Sequence, residues 1–286
     1  MEFTRKVHEQ YQKAYAMASS CQQKNKKHGL PISPVVLDNM LNERMIYDRQ
    51  DLGVMDIPTD LIEGLAESSD EMLLYTKEFL PVSLPSSAEA EQWCRVCSRF
   101  LQDQQETEPI LCLEYLGKFY VSEGLILVSV AKFAEIPQIR SRVIRIMPIK
   151  ADSREVAQYY DFLTHYQLTD LYQMQFTQPG FFEEMEKAFG KSRGERWTDL
   201  DRAAFLRIWP KIVTAFKRSY PDCLSITTAD AFVVLLRKYS YRQLILMDTW
   251  VLARIFQASW KDLYSLSGAD IQAPSKKARS NALQTA

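Results

Sequence analysis

Residues 114–133 read Glu114-Tyr115-Leu116-Gly117-Lys118-Phe119-Tyr120-Val121-Ser122-Glu123-Gly124-Leu125-Ile126-Leu127-Val128-Ser129-Val130-Ala131-Lys132-Phe133. With Ile110 to Tyr115 on one side and Phe119-Tyr120-Val121 on the other, the segment Leu116-Gly117-Lys118 predicts the turn of a β-hairpin. Val128 to Phe133 predicts a short helix directly after it.

Working outward, Arg142 to Met147 predicts a closing strand that stops at Pro148. Val54-Met55-Asp56-Ile57-Pro58 predicts an earlier strand, followed by Thr59-Asp60-Leu61-Ile62 and a break at Gly64. A loop with Pro81 and Pro85 leads to Ser86-Ser87 and Glu89, an N-cap pair with an acidic first turn, which opens a helix to Gln104. Upstream, Phe3 to Gln23 carries Val7, Tyr11, Tyr15 and Ala18 at helical spacing and has no Gly or Pro. The polar run Gln22-Gln23-Lys24-Asn25-Lys26-Lys27 ends that helix, Gly29-Leu30-Pro31 and Pro34 force an extended connection, and Val35 to Met45 is apolar enough for a second short helix.

Downstream the pattern is mostly helical, with expected helices at Ser153–His165, Phe181–Phe189, Asp199–Arg218, Ala229–Tyr239 and Thr249–Leu263. Thr198 with Asp201, and Thr227 with Asp230, have an acidic variant of capping-box spacing, and Asp248 can cap the last helix. Gly190 stops the second of these helices, whereas Pro210 should kink or divide the third. Leu171 to Phe176 could add a strand. From Gly268 the chain turns polar and reads as a disordered tail. The expected fold class is α+β, a small mixed-sheet domain followed by a mostly α-helical one. The expected boundaries are an N-terminal helical arm at 1–49, the sheet domain at 50–150, the helical domain at 151–267 and the tail at 268–286.

Composition narrows the function classes. In 286 residues, 47% are hydrophobic and 12% aromatic, enough for a packed core, so wholesale disorder is excluded. The 35 basic and 36 acidic residues leave a net charge of −1, so no global field draws the chain to nucleic acid or an anionic membrane. No apolar run approaches the ~18–20 residues that span a bilayer, and the charged N-terminus is not signal-like, so a cytoplasmic protein without membrane contact is expected. Five scattered cysteines, Cys21, Cys94, Cys97, Cys112 and Cys223, fit a reducing compartment. With only His8, His28 and His165 beside them, no metal site is expected.

Several motifs weigh less than they first suggest. Trp93-Cys94-Arg95-Val96-Cys97 has thioredoxin-like spacing, but the helix starts near Ser87 and puts Cys94 well inside it, away from the dipole that would lower its pKa. Core packing is the better reading. Gly190-Lys191-Ser192 resembles the end of a P-loop, yet Met185 stands where the first glycine is required. Lys24, Lys26, Lys27 and His28, like Arg140, Arg142 and Arg145, are clusters of the kind usually found on solvated faces. His165 lies near Asp161 and Asp170 without a partnered nucleophile.

The stretch Glu114 to Phe133 resembles the ParB/sulfiredoxin superfamily, in which a strand reading Tyr-Val-x-Glu/Asp-Gly precedes polar and basic residues ending in Arg, then Val-Ser-Val-x-Lys at a helix start. Val54 to Ile62 is similar to the first strand of that fold. The likeness extends over residues 50–266 to an uncharacterised group of Firmicute proteins, which implies a bacterial source. Superfamily members bind and hydrolyse CTP, phosphorylate serine, repair sulfinic acid or cleave nucleic acid. What they share is a glycine turn that presents backbone N–H groups to phosphate, with an Arg adding charge and paired hydrogen bonds. The resemblance places Glu123 and Gly124 at that turn and Ser129 and Lys132 on the helix after it. Where the related group has Asn-Lys-Arg, this chain has Leu125, Ile126 and Leu127.

The resemblance therefore implies a degenerate phosphate corner made of Glu123, Gly124, Leu125, Ile126, Leu127, Ser129 and Lys132, with no catalytic residue and no cofactor. The expected role is a catalytically inactive regulatory or protein-interaction protein with an unidentified protein partner, and nucleotide binding is not expected. Two alternatives stand beside it. One is an ATP- or CTP-dependent kinase or nucleotidase that uses Lys118 and Lys132, and the other is a sequence-nonspecific DNA-binding protein.

Overall fold

The computed structural model describes residues 2–41, 45–101, 108–149, 153–219 and 226–267. Cys223, the end of the helix expected to reach Gln104, and the expected tail at 268–286 lie outside the described residues. The fold is mixed α/β, with a six-stranded mixed sheet and, among the described residues, ten α-helices. It divides into two compact units, Met1–Val156 and Ala157–Ala286.

The first unit runs α1 (Glu2–His28), β1 (Val35–Val36), β2 (Tyr47–Pro58), β3 (Ile62–Leu65), α2 (Ala88–Leu101), β4 (Ile110–Tyr115), β5 (Lys118–Glu123), α3 (Leu125–Phe133) and β6 (Gln138–Pro148). Its strand order is β1-β3-β5-β4-β6-β2. The β1–β3, β3–β5 and β4–β6 pairs are parallel, while β4–β5 and β2–β6 are antiparallel. The residues set apart as an arm by their composition do not stand alone. Val7, Tyr11 and Ala14 of α1 are buried against Ala90, Trp93, Cys94 and Cys97 of α2 and Val130 of α3. The polar run 22–28 continues α1 instead of ending it.

The hairpin is a two-residue loop, since Tyr115 pairs with Lys118. Leu116 and Gly117 both have positive φ, 49° and 77°, the geometry that suits Asn-Gly. A leucine in the left-handed region costs about 1–2 kcal/mol because its Cβ crowds the following carbonyl. Leu116→Asn should therefore stabilise the first unit by about 0.5–1 kcal/mol, after the loss of some apolar contact, read as a higher urea midpoint at unchanged slope.

The pleat sorts the central strands. Cys112 and Glu114 share a face with Val121 and Phe119 of β5 and with Val143 and Arg145 of β6. On this face Arg145 Nε donates to Glu114 Oε2 at 2.5 Å, and the amide of Gly117 donates to Glu114 Oε1 at 2.7 Å. The opposite face sets Tyr120 and Ile146 against Leu37.

Three local expectations need correction. The helix expected over Val35 to Met45 does not form in residues 35–41, while 42–44 lie outside the described residues: Val35–Val36 is a parallel edge strand, and the amides of Met40 and Leu41 turn back onto the Leu37 carbonyl. Gly64 is no break. It lies inside β3, where a Cβ would fall 2.1 Å from the Val35 carbonyl oxygen, so the glycine lets β1 approach. The strand expected at Val54 starts earlier, at Tyr47, and pairs with β6 along its length.

The second unit is helical. Its elements are α4 (Arg154–Thr169), which begins just before the unit boundary, α5 (Phe181–Ala188), α6 (Asp199–Ser219), α7 (Thr228–Leu236), α8 (Tyr241–Leu246), α9 (Thr249–Ala258) and α10 (Trp260–Ser267). Phe205, Ile208 and Ile212 of α6 bury against Phe232 and Leu235 of α7 and Leu252 and Phe256 of α9. Pro210 sits inside an undivided α6. Leu171 to Phe176 is not a strand: Tyr172 and Gln173 form a turn and the rest is irregular. The residues after it are held by buried Asp230, which accepts from the Thr177 amide at 3.0 Å, the Thr177 hydroxyl at 2.7 Å and the Thr227 amide at 2.9 Å. The long helix expected at 249–263 is two, with Ser259 between α9 and α10.

Candidate functional site

The corner begins where β5 ends. Gly124 caps α3 with φ 96° and ψ 26°, a left-handed geometry. A Cβ there would lie 2.4 Å from Ile110 Cγ2, so glycine is required by backbone and packing alone. Glu123 and Gly124 are exposed. The first-turn amides of Leu125, Ile126 and Leu127 lack intrahelical acceptors, as at any helix start, and no side chain caps them.

The side chains that follow turn inward. Leu125 and Leu127 are 6% and 9% exposed, and Ile126 packs against the cluster formed by α1, α2 and α3. Ser129 is fully buried and its Oγ accepts from Trp93 Nε1 at 2.9 Å. The same indole meets Tyr11 and Phe133 edge-on, with centroids 5.4 and 5.5 Å away. Lys132 Nζ donates to the Ile62 carbonyl at 2.8 Å and stands 4.9 Å from the ring centroid of Phe79. Phe79 is itself fully buried and held at φ 64°. Lys118, at the other end of β5 from Glu123, is about 17 Å away along the strand.

Thus the structure brings Glu123, Gly124 and Leu125 to Leu127 together at one helix start, buries Ser129, and holds half-buried Lys132 on the Ile62 carbonyl. A bare helix start supplies amides and a partial positive charge, but no charged side chain. Trp93 is the core residue that its place on the apolar face of α2 predicts, whereas Glu114 and Phe79 carry no such signal in the sequence.

The remaining motifs resolve as packing. Cys94 Sγ lies 3.9 Å from the Val7 carbonyl and 3.8 Å from His8 Nδ1. Burial raises the Cys94 pKa, and burial followed by the neighbouring Cys94 pushes Cys97 to about 11. Burial also pushes Cys112 to about 12. These thiols stay protonated near neutral pH, and thiolate chemistry is disfavoured. His165 stacks on Phe182 at 3.8 Å between centroids, and burial lowers its pKa, against the opposing pull of Asp161 and Glu183. Lys191 bridges Glu195 at 2.9 Å and Asp201 at 2.7 Å in the loop after α5. Among the arginines, Arg142 pairs with Asp51 at 2.6 Å, Arg145 with Glu114, and Arg140 stands opposite Asp56 in the sheet. No group of acidic, His or Cys side chains among the described residues could hold a metal ion. No described helix is long and apolar enough to cross a membrane.

No protein-family model matches the chain, and no curated protein matches it.

Proposed function

We propose that the first unit is a ParB/sulfiredoxin-like module without catalytic chemistry, and that the protein acts in the cytoplasm of a bacterium as a regulatory or protein-interaction scaffold. The observation that carries this reading is the occupation of the corner by its own chain. Leu125 and Leu127 are buried, Ser129 holds Trp93, and Lys132 holds the Ile62 carbonyl.

The magnitudes favour it. An exposed helix dipole contributes about 0.3–1 kcal/mol to anion binding, whereas an Arg–phosphate bond adds roughly 1.5–3 kcal/mol. At ~1.4 kcal/mol per tenfold, the missing Arg alone weakens a triphosphate by about one to two orders of magnitude. Drawing Lys132 to phosphate would break its bond to Ile62, which counts against a kinase or nucleotidase. The pairing of Arg142 and Arg145 with carboxylates likewise weakens the DNA-binding alternative.

Calorimetry with ATP or CTP at near-millimolar concentration is expected to show no binding heat, and neither nucleotide should raise the melting temperature. A micromolar dissociation constant lost in Lys132→Ala would overturn the scaffold reading in favour of the enzyme.

A further inference from the structure

The two edges of the sheet differ sharply in length, with two residues in β1 and twelve in β2. An open edge offers a row of backbone N–H and C=O groups to another strand, and proteins ordinarily shorten such an edge or cover it. β1 is short. β2 is not, and among the described residues it pairs on one side only, with β6. Asp48, Arg49, Gln50, Asp51, Val54 and Asp56 are all exposed.

One irregularity interrupts this edge. Between Asp51 and Gly53 the register shifts past Leu52, with Gly53 at φ 74° and its amide donating to Asp51 Oδ1 at 2.9 Å. Such a bulge carries the pleat past one extra residue. Arg49 stands opposite Ile146 and Asp56 opposite Arg140, which puts both on the same face of the sheet. The bulge also leaves equal stretches on either side, 47–51 and 54–58.

We propose that β2 is a homodimerisation edge, on which two copies of the chain pair β2 with β2 antiparallel about a two-fold axis between Leu52 and Gly53. Residues 49–51 of each copy then lie along 54–56 of the other, over the part of the strand that is open before Ile57 and Pro58 become buried, and the two bulges meet at the axis. Arg49 of each copy faces Asp56 of the other, Gln50 faces Met55, and Asp51, already paired with Arg142, faces Val54. No like charges are opposed. The contact is isologous, and it covers the exposed middle of the edge in both copies. The charges that would reject an arbitrary strand select this register.

Sedimentation velocity on the full chain, followed through a dilution series, tests the proposal. The wild type is expected to show a concentration-dependent dimer. Arg49→Asp places a carboxylate against Asp56 at two symmetric positions and should weaken the dimer by about tenfold or more. Asp56→Arg should do the same, and the double exchange Arg49→Asp with Asp56→Arg should restore association to within about threefold of wild type. Because residue 56 also faces Arg140 within the chain, circular dichroism and melting temperature confirm that each variant folds. Arg49→Asp, exposed and distant from that contact, keeps the test decisive if the others do not fold. A wild type that stays a single chain throughout, an Arg49→Asp protein that dimerises as tightly, or a folded double exchange that is not restored would each overturn the proposal.

Discussion

Trp93→Ala is expected to destabilise the first unit by about 3–5 kcal/mol, because it empties a fully buried site where three helices meet. The loss has distinct parts. Removing the indole forfeits the edge-on contacts with Tyr11 and Phe133, and it leaves the buried Ser129 hydroxyl without its donor. Trp93→Phe separates these parts. It keeps much of the ring packing and drops only the hydrogen bond and some volume, so about 1–2 kcal/mol should be lost. Urea unfolding followed by circular dichroism measures both variants. Equal midpoints for the two would show that the ring contacts contribute little and that the explanation given for α3 is wrong.

Glu114→Ala should be comparably severe, at about 3–5 kcal/mol, for an electrostatic reason. The carboxylate is fully buried in the middle of the sheet, where one oxygen accepts from Arg145 and the other from the hairpin amide of Gly117. Taking it away removes the Glu114 carboxylate from a guanidinium that is 8% exposed, and breaking such a pair costs far more than the intact pair contributes. Glu114→Gln keeps an oxygen for Gly117 but not the charge, and should fall between wild type and Ala. A double variant with both residues replaced by methionine should recover much of the loss, since an apolar pair needs no solvation. Should Glu114→Ala unfold at the wild-type urea midpoint, the pair is not the clamp described here.

The parts of this fold that were legible in sequence are those fixed by local chemistry. The hairpin at 110–121 was readable because two alternating runs flank a glycine turn. The start of α7 was readable because Thr227 and Asp230 satisfy each other's backbone amides. The same logic would have found α8, since Ser240 and Gln243 form a capping box, but the short helix behind it shows little apolar periodicity. Most of β2 was invisible for a different reason. Asp48, Arg49, Gln50 and Asp51 are all exposed, so they show no alternation, and pairing with a strand distant in sequence decides their conformation. Val35–Val36 was misread because an apolar run of that size suits either state, and only the close approach allowed by Gly64 makes it a strand. At the corner, glycine and the aliphatic run could be read directly. That Ser129 is buried under Trp93 and Lys132 bonds the Ile62 carbonyl could not, because these partners lie far away in sequence.

The position of β6 between β4 and β2 has a consequence for synthesis. Tyr47 of β2 pairs with Pro148, at the far end of the first unit, so β2 leaves the ribosome long before its partner exists. At ~5–20 residues per second, translation from residue 47 to 148 takes roughly 5–20 s. During that interval α1, β1 and β3 are already available, but the sheet order places none of them beside β2. The nascent chain therefore carries a strand with both edges open until the last strand of the unit emerges. The charged residues of β2, Asp48, Arg49, Asp51 and Asp56, help keep this stretch in solution until β6 arrives.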